Sequence, residues 1–105
     1  MIPTLLKIAV GLLIPAATAD GVSTARFLKK GYDESDRIMI WIYGTDDPSV
    51  KRMWIRSSAC IALEILVAGV AAYLWTPAGY AFAVGYLGQA AYHIYCTVNN
   101  YRFVP

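Results

Sequence analysis

The stretch Met53 to Trp75, M-W-I-R-S-S-A-C-I-A-L-E-I-L-V-A-G-V-A-A-Y-L-W, constrains this chain most, because from Ser57 onward Glu64 is its only charge. About 20 apolar residues, each rising about 1.5 Å in a helix, cross a hydrocarbon core of about 30 Å, so the run reads as a transmembrane helix. Glu64 then stands near mid-span, where an ionisable side chain costs roughly 3 kcal/mol or more unless it faces protein or water. Polar partners for it must come from the rest of the chain. Composition points the same way: 58% of residues are hydrophobic and 15% charged, against about 25% charged in soluble domains.

Two further helices are expected, one on each side. The first spans about residues 3–30, with Pro3 in its opening turn, Pro15 as a kink and Gly31 as the C-terminal cap. Lys7, the apolar run Ile8 to Ala17 and the triplet Ala17-Thr18-Ala19 have the form of a secretory signal. Arg26, Lys29 and Lys30 behind the run favour a retained helix instead. The second helix is expected over 48–75, capped by Asp46 or Asp47 ahead of Pro48, and the third over 78–100 after a tight turn at Thr76-Pro77. Together these make an all-α, polytopic fold of three transmembrane helices in a single domain.

Between the first and second helices, residues 31–47 hold the apolar run Ile38 to Tyr43, too short to cross a bilayer. Trp41, Tyr43 and Trp54 are expected at headgroup level, where amphipathic rings settle. Arg26, Lys29, Lys30, Arg37, Lys51, Arg52 and Arg56 flank or lie in this loop, so it should be cytoplasmic, with the N-terminus outside and the C-terminus inside. A bacterial inner membrane fits this pattern. The third helix is rich in small residues, and Ala81, Gly85 and Gly88 are expected to let helices approach closely.

Counting about 12 residues either way from the turn sets Gln89 level with Glu64, with His93 one turn further along. Asp20 lies about 10 residues, roughly 15 Å, before the end of the first helix, and Ser23 and Thr24 share its face. Asp20, Ser23, Thr24, Glu64, Gln89 and His93 are therefore expected to form one polar layer, whose members satisfy each other. Asp20, Glu64 and His93 could alternatively hold a divalent metal, although the chain has a single His and no H-x-x-H or E-x-x-H pair. Cys60 and Cys96 fall in apolar stretches and read as small buried hydrophobes.

Several functions are excluded. The chain has no G-x-S-x-G, phosphate loop or C-x-x-C, its net charge of +2 is too small for a nucleic-acid binder, and no cofactor is named by any motif. The acids Asp33, Glu34, Asp36, Asp46 and Asp47 lack calcium-loop spacing and read as a solvated balance to nearby cations.

The run Asp20-Gly-Val-Ser-Thr24, followed by Leu28, Gly31, Glu34 and Gly44, resembles a group of small bacterial and phage membrane proteins with D-x-x-x-T and G-x-x-E-x-N-P motifs. The late N-N-Y-R is similar to their ending. Here Ser35-Asp36-Arg37 follows Glu34 where that group has x-N-P. The resemblance implies three helices and no stated activity. These readings lead to a non-enzymatic membrane protein that self-associates or serves as an accessory subunit on a membrane partner. The rivals are a holin-like or proton- or cation-conducting homo-oligomeric pore, and an intramembrane metal-dependent enzyme.

Overall fold

The computed structural model describes residues 2–103, and among them the chain is all-α: α1 (Thr4–Lys29), α2 (Arg37–Tyr43), α3 (Val50–Leu74) and α4 (Thr76–Phe103). Met1, Val104 and Pro105, to which the expected placement of the chain ends refers, lie outside the described residues. Two helices, α1 and α3, are long and apolar enough to cross a membrane. α4 is longer than either, but its tyrosines, glycines, Gln89 and His93 dilute its hydropathy.

The ends of the helices follow local chemistry. α1 runs unbroken through Pro15 and closes on Gly31, whose φ of +88° is the left-handed geometry glycine adopts without penalty. The Gly31 N–H donates to the Leu28 carbonyl and that of Tyr32 to Phe27, while the Phe27 and Tyr32 rings stack at 4.9 Å. This is a glycine-terminated helix end with its accompanying apolar contact. α3 begins two residues later than expected. Ser49 caps it, its hydroxyl accepting from the Arg52 N–H at 3.1 Å, while Pro48 is buried ahead of the helix. The break between α3 and α4 is Trp75 alone, and Thr76-Pro77 belong to the first turn of α4, where a missing N–H costs nothing.

Contacts along α1 and α4 keep a nearly constant offset. Gly79 lies against Pro3, His93 bonds Asp20, Asn100 bonds Ser23 and Thr24, and the Arg26 guanidinium sits 5.3 Å over the Tyr101 ring. The two helices therefore run parallel and in register over most of their length. α3 returns antiparallel: Gly79 meets Ala72, and the Tyr86 hydroxyl donates to the Glu64 carbonyl across the turn. α1 packs chiefly on α4, and α3 touches α1 far less.

Two apolar clusters result. One joins Leu6, Ala9 and Leu13 to Ala68, Ala72, Ala83 and Tyr86 at the end near the Trp75 turn. The other joins Ala25, Tyr43 and Met53 at the α2 end. What is buried is mostly small, whereas Leu63, Leu66, Val70, Val84 and Ile94 are all more than half exposed. Soluble proteins bury their large aliphatics, and contiguous exposed ones mark a surface meant for lipid or another chain. Small residues inside and large ones outside is how helices pack where the surroundings are themselves apolar.

Several expectations about individual side chains change. Tyr43 is not at a headgroup surface: it is 3% exposed and packs with Ala25 and Met53. Trp54 is half-buried against Gly21, where a Cβ would fall 2.6 Å from the indole, so the missing side chain is what admits the ring. Trp41 is 81% exposed, as an interfacial ring would be. Gly85 and Gly88 face outward, a Cβ on either meeting nothing within 4 Å, and Ala81 is exposed as well. The small residues of α4 that pack inside the chain are Gly79, Ala83 and Ala90, because the inward face is the one that carries Tyr86.

Candidate functional site

Between the two apolar clusters the chain is polar. On α1, Asp20 comes after Leu13 and before Ala25; on α3, Glu64 comes after Met53 and before Ala68; on α4, Gln89 and His93 follow Tyr86. Asp20 Oδ2 lies 2.7 Å from His93 Nδ1, with the two side chains 18% and 19% exposed. With Asp20 as the carboxylate, the Nδ1–H is the donor. The Thr24 hydroxyl donates to Asp20 Oδ1 at 3.3 Å, and the Ser23 hydroxyl to the Asp20 carbonyl at 2.9 Å. Asn100 Nδ2 donates in turn to Ser23 Oγ at 3.0 Å and to Thr24 Oγ1 at 3.3 Å. The shared face of Asp20, Ser23 and Thr24 is thus the seam with α4.

Glu64 enters this layer from α3 without joining the ladder. Gln89 lies within hydrogen-bonding reach of its carboxyl and His93 is near it, yet the oxygen Oε2 itself is fully buried and has no hydrogen-bond partner among the described residues. Because α3 diverges from α1, a cleft of about 590 Å³ opens between α1, α3 and α4, with α2 across one end. Asp20, Glu64, Gln89 and His93 all line it, with walls of Ile14, Ile61, Ile65 and Trp54. Of the residues expected to share a layer, Asp20, Thr24, Glu64, Gln89 and His93 line the cleft, and Ser23 lies in the α1–α4 seam beside Asn100. Their partners differ from a symmetric cluster, since Asp20 is bonded to His93 and Glu64 Oε2 has no partner among the described residues.

The metal alternative finds no geometry. Among the described residues no three of His, Cys, Asp and Glu are grouped closely enough to hold an ion. Cys60 and Cys96 are free thiols of intermediate burial.

Two residues read as solvated acids do more than balance charge. Asp36 caps α2, its Oδ1 accepting from the Ile38 N–H at 2.9 Å and more distantly from Met39, and its Oδ2 accepts the Tyr92 hydroxyl of α4 at 2.7 Å. It ties the short helix to the end of the cleft. The signal was in the sequence, an Asp directly before R-I-M-I-W-I-Y, whereas nothing marked Tyr92 as its partner. Arg56 reaches across to the Ile42 carbonyl at 3.0 Å and satisfies the other end of α2. Glu34 is partly buried, and burial pushes its carboxyl above the usual carboxylate range despite N–H donors from Ser35 and Asp36.

A stability consequence follows for Glu34. An acid whose folded-state pKa is raised fits the fold better when protonated, so its contribution is most favourable at or below pH 4.5 and declines as pH rises through the raised value. The difference in thermal stability between the native chain and Glu34→Gln should therefore shift in favour of Gln between pH 4.5 and neutrality. Parallel melting curves of the two proteins across that range would show no convergence or crossing if Glu34 were freely solvated.

Searches against family models, curated proteins and solved structures returned no match, so the site stands on its own geometry.

Proposed function

We propose that this is a three-span integral membrane protein of non-enzymatic, binding character, an accessory subunit whose working element is the cleft between the α1–α4 pair and α3. The observation that carries the reading is Glu64 Oε2, a buried carboxyl oxygen of a cleft-lining side chain without a hydrogen-bond partner among the described residues, while Asp20 and His93 of the same cleft are bonded to each other. A group left unpaired at such a site costs free energy that an incoming donor removes. Catalysis would need a reacting side chain positioned on the Asp20–His93 pair, and the bonded neighbours of that pair are Thr24 and, through it, Asn100.

The third span is supported by register. α4 runs parallel to α1 from Gly79 to Tyr101, so a bilayer that contains α1 contains α4, and α3 with α4 then makes a transmembrane hairpin. The extents of 46 × 25 × 18 Å suit a bilayer of about 40–45 Å with its headgroups. Basic residues at the α2 end favour a cytoplasmic loop and C-terminus and an outside N-terminus. Reporters of compartment inserted at residues 33–34, after Trp75 and after Arg102 should read inside, outside and inside. An outside reading after Arg102, with the other two as expected, would leave α4 without a crossing.

A second reading, self-association, has its own observation. Gly85 and Gly88 leave a shallow outward strip on α4 that nothing among the described residues fills. Gly85→Leu with Gly88→Leu should abolish any dimer while leaving monomer stability intact, and unchanged cross-linking in membranes would remove this reading. A conduction pathway inside one chain is disfavoured, because the cluster around Leu13, Ala68 and Tyr86 seals the polar layer from the Trp75 end.

A further inference from the structure

Resting on the reading of the cleft as a binding site, the geometry points to its ligand class: a membrane amphiphile with a primary ammonium headgroup, held by Glu64, and an apolar chain lying between α1 and α3. Charge complementarity selects the headgroup. Asp20, Asp36 and Glu64 line the cleft, and no Lys or Arg is among the described lining residues. Asp36 has both oxygens bonded, and so does Asp20, to Thr24 and to His93. Among the described residues, Glu64 Oε2 is the one buried side-chain oxygen without a hydrogen-bond partner. The acceptor offered to a ligand is therefore a buried carboxyl oxygen, reached when the Glu64 side chain turns into the cleft it lines, and a charge-assisted hydrogen bond from an ammonium is worth more there than one from a neutral donor.

The walls select the tail. Ile14, Ile61, Ile65 and Trp54 present an apolar surface beside the polar floor. Leu63 and Leu66 of the same helix are themselves exposed and apolar. A ligand that enters sideways from a bilayer keeps its chain in apolar surroundings throughout, which a soluble amine would not require. An amine-bearing lipid meets both conditions.

The test uses full-length protein in nanodiscs of phosphatidylcholine, with Trp41→Phe and Trp75→Phe so that Trp54, which lines the cleft, is the only indole. Three chain-matched probes carrying a nitroxide on the tail are titrated: a long-chain primary amine, the alcohol and the carboxylate. Quenching of Trp54 by the amine should saturate at a concentration about tenfold lower than for either other probe, the ratio expected of one charge-assisted bond, and Glu64→Gln should erase the difference. Unchanged melting of Glu64→Gln would show that the variant is folded. Saturation at equal concentrations for all three probes would overturn headgroup recognition while leaving the cleft as a binding site. An amine preference that survives Glu64→Gln would overturn the assignment to Glu64. Quenching that never saturates with any probe would overturn the binding reading itself.

Discussion

His93→Leu should destabilise the fold by about 1–3 kcal/mol, the cost of leaving a largely buried carboxyl without its closest hydrogen-bond partner. The cost arises because Asp20 would lose its 2.7 Å partner and keep only the longer bond from Thr24. Replacing both members removes that penalty, because a pair of apolar groups needs no partner. The double variant Asp20→Leu/His93→Leu should then lie within about 1 kcal/mol of the native chain, far from the sum of the single changes. Unfolding of the four proteins in mixed micelles closes the cycle, and additive losses would mean that the two side chains do not act on each other.

Gly79→Ala is the second large effect, about 1–3 kcal/mol of destabilisation from overpacking. Its added methyl would lie 2.7 Å from Pro3 Cδ, 2.8 Å from Pro3 Cγ and 2.9 Å from Ala72 Cβ. A proline ring and a Cβ cannot rotate away, so relief requires α1, α3 or α4 to move as a body. By contrast, Gly85→Ala and Gly88→Ala meet nothing and gain helix propensity, so they should be neutral or stabilising by up to about 1 kcal/mol. The same micelle titration separates them. Equal behaviour of the three glycines would contradict the packing described for the Trp75 end.

Much of this fold was legible because local chemistry decides it. Gly31 follows two lysines and precedes an aromatic, and only a left-handed residue ends a helix in that way. The spacing of Asp20, Ser23 and Thr24 fixes one face whatever the neighbour. Counting outward from the turn paired Glu64 with Gln89, since the two helices share a single hinge point.

What was not legible depended on tertiary choice. α4 has small residues on every side, so its composition carries no period to reveal that Ala83, Tyr86 and Ala90 face inward and Gly85 and Gly88 outward. Depth counting brought Asp20, Glu64 and His93 to one layer, but the offset between α1 and α4 decides that Asp20 meets His93 and that Glu64 is left open. Tyr43 had the look of an interfacial ring, and its burial follows from how α2 folds back on Ala25 and Met53. Asp36 seemed one acid among several, and its importance comes from Tyr92, 56 residues away.

We propose that large apolar side chains on all three long helices face lipid while the polar groups meet inside. Nitroxide labels at Leu66 on α3 and at Val84 and Ile94 on α4 test it in bilayers through collision with oxygen and with a water-soluble nickel chelate. All three positions, α4 included, should show high oxygen and low nickel accessibility. Nickel reaching Val84 and Ile94 as freely as it reaches a label at Trp41 would contradict it.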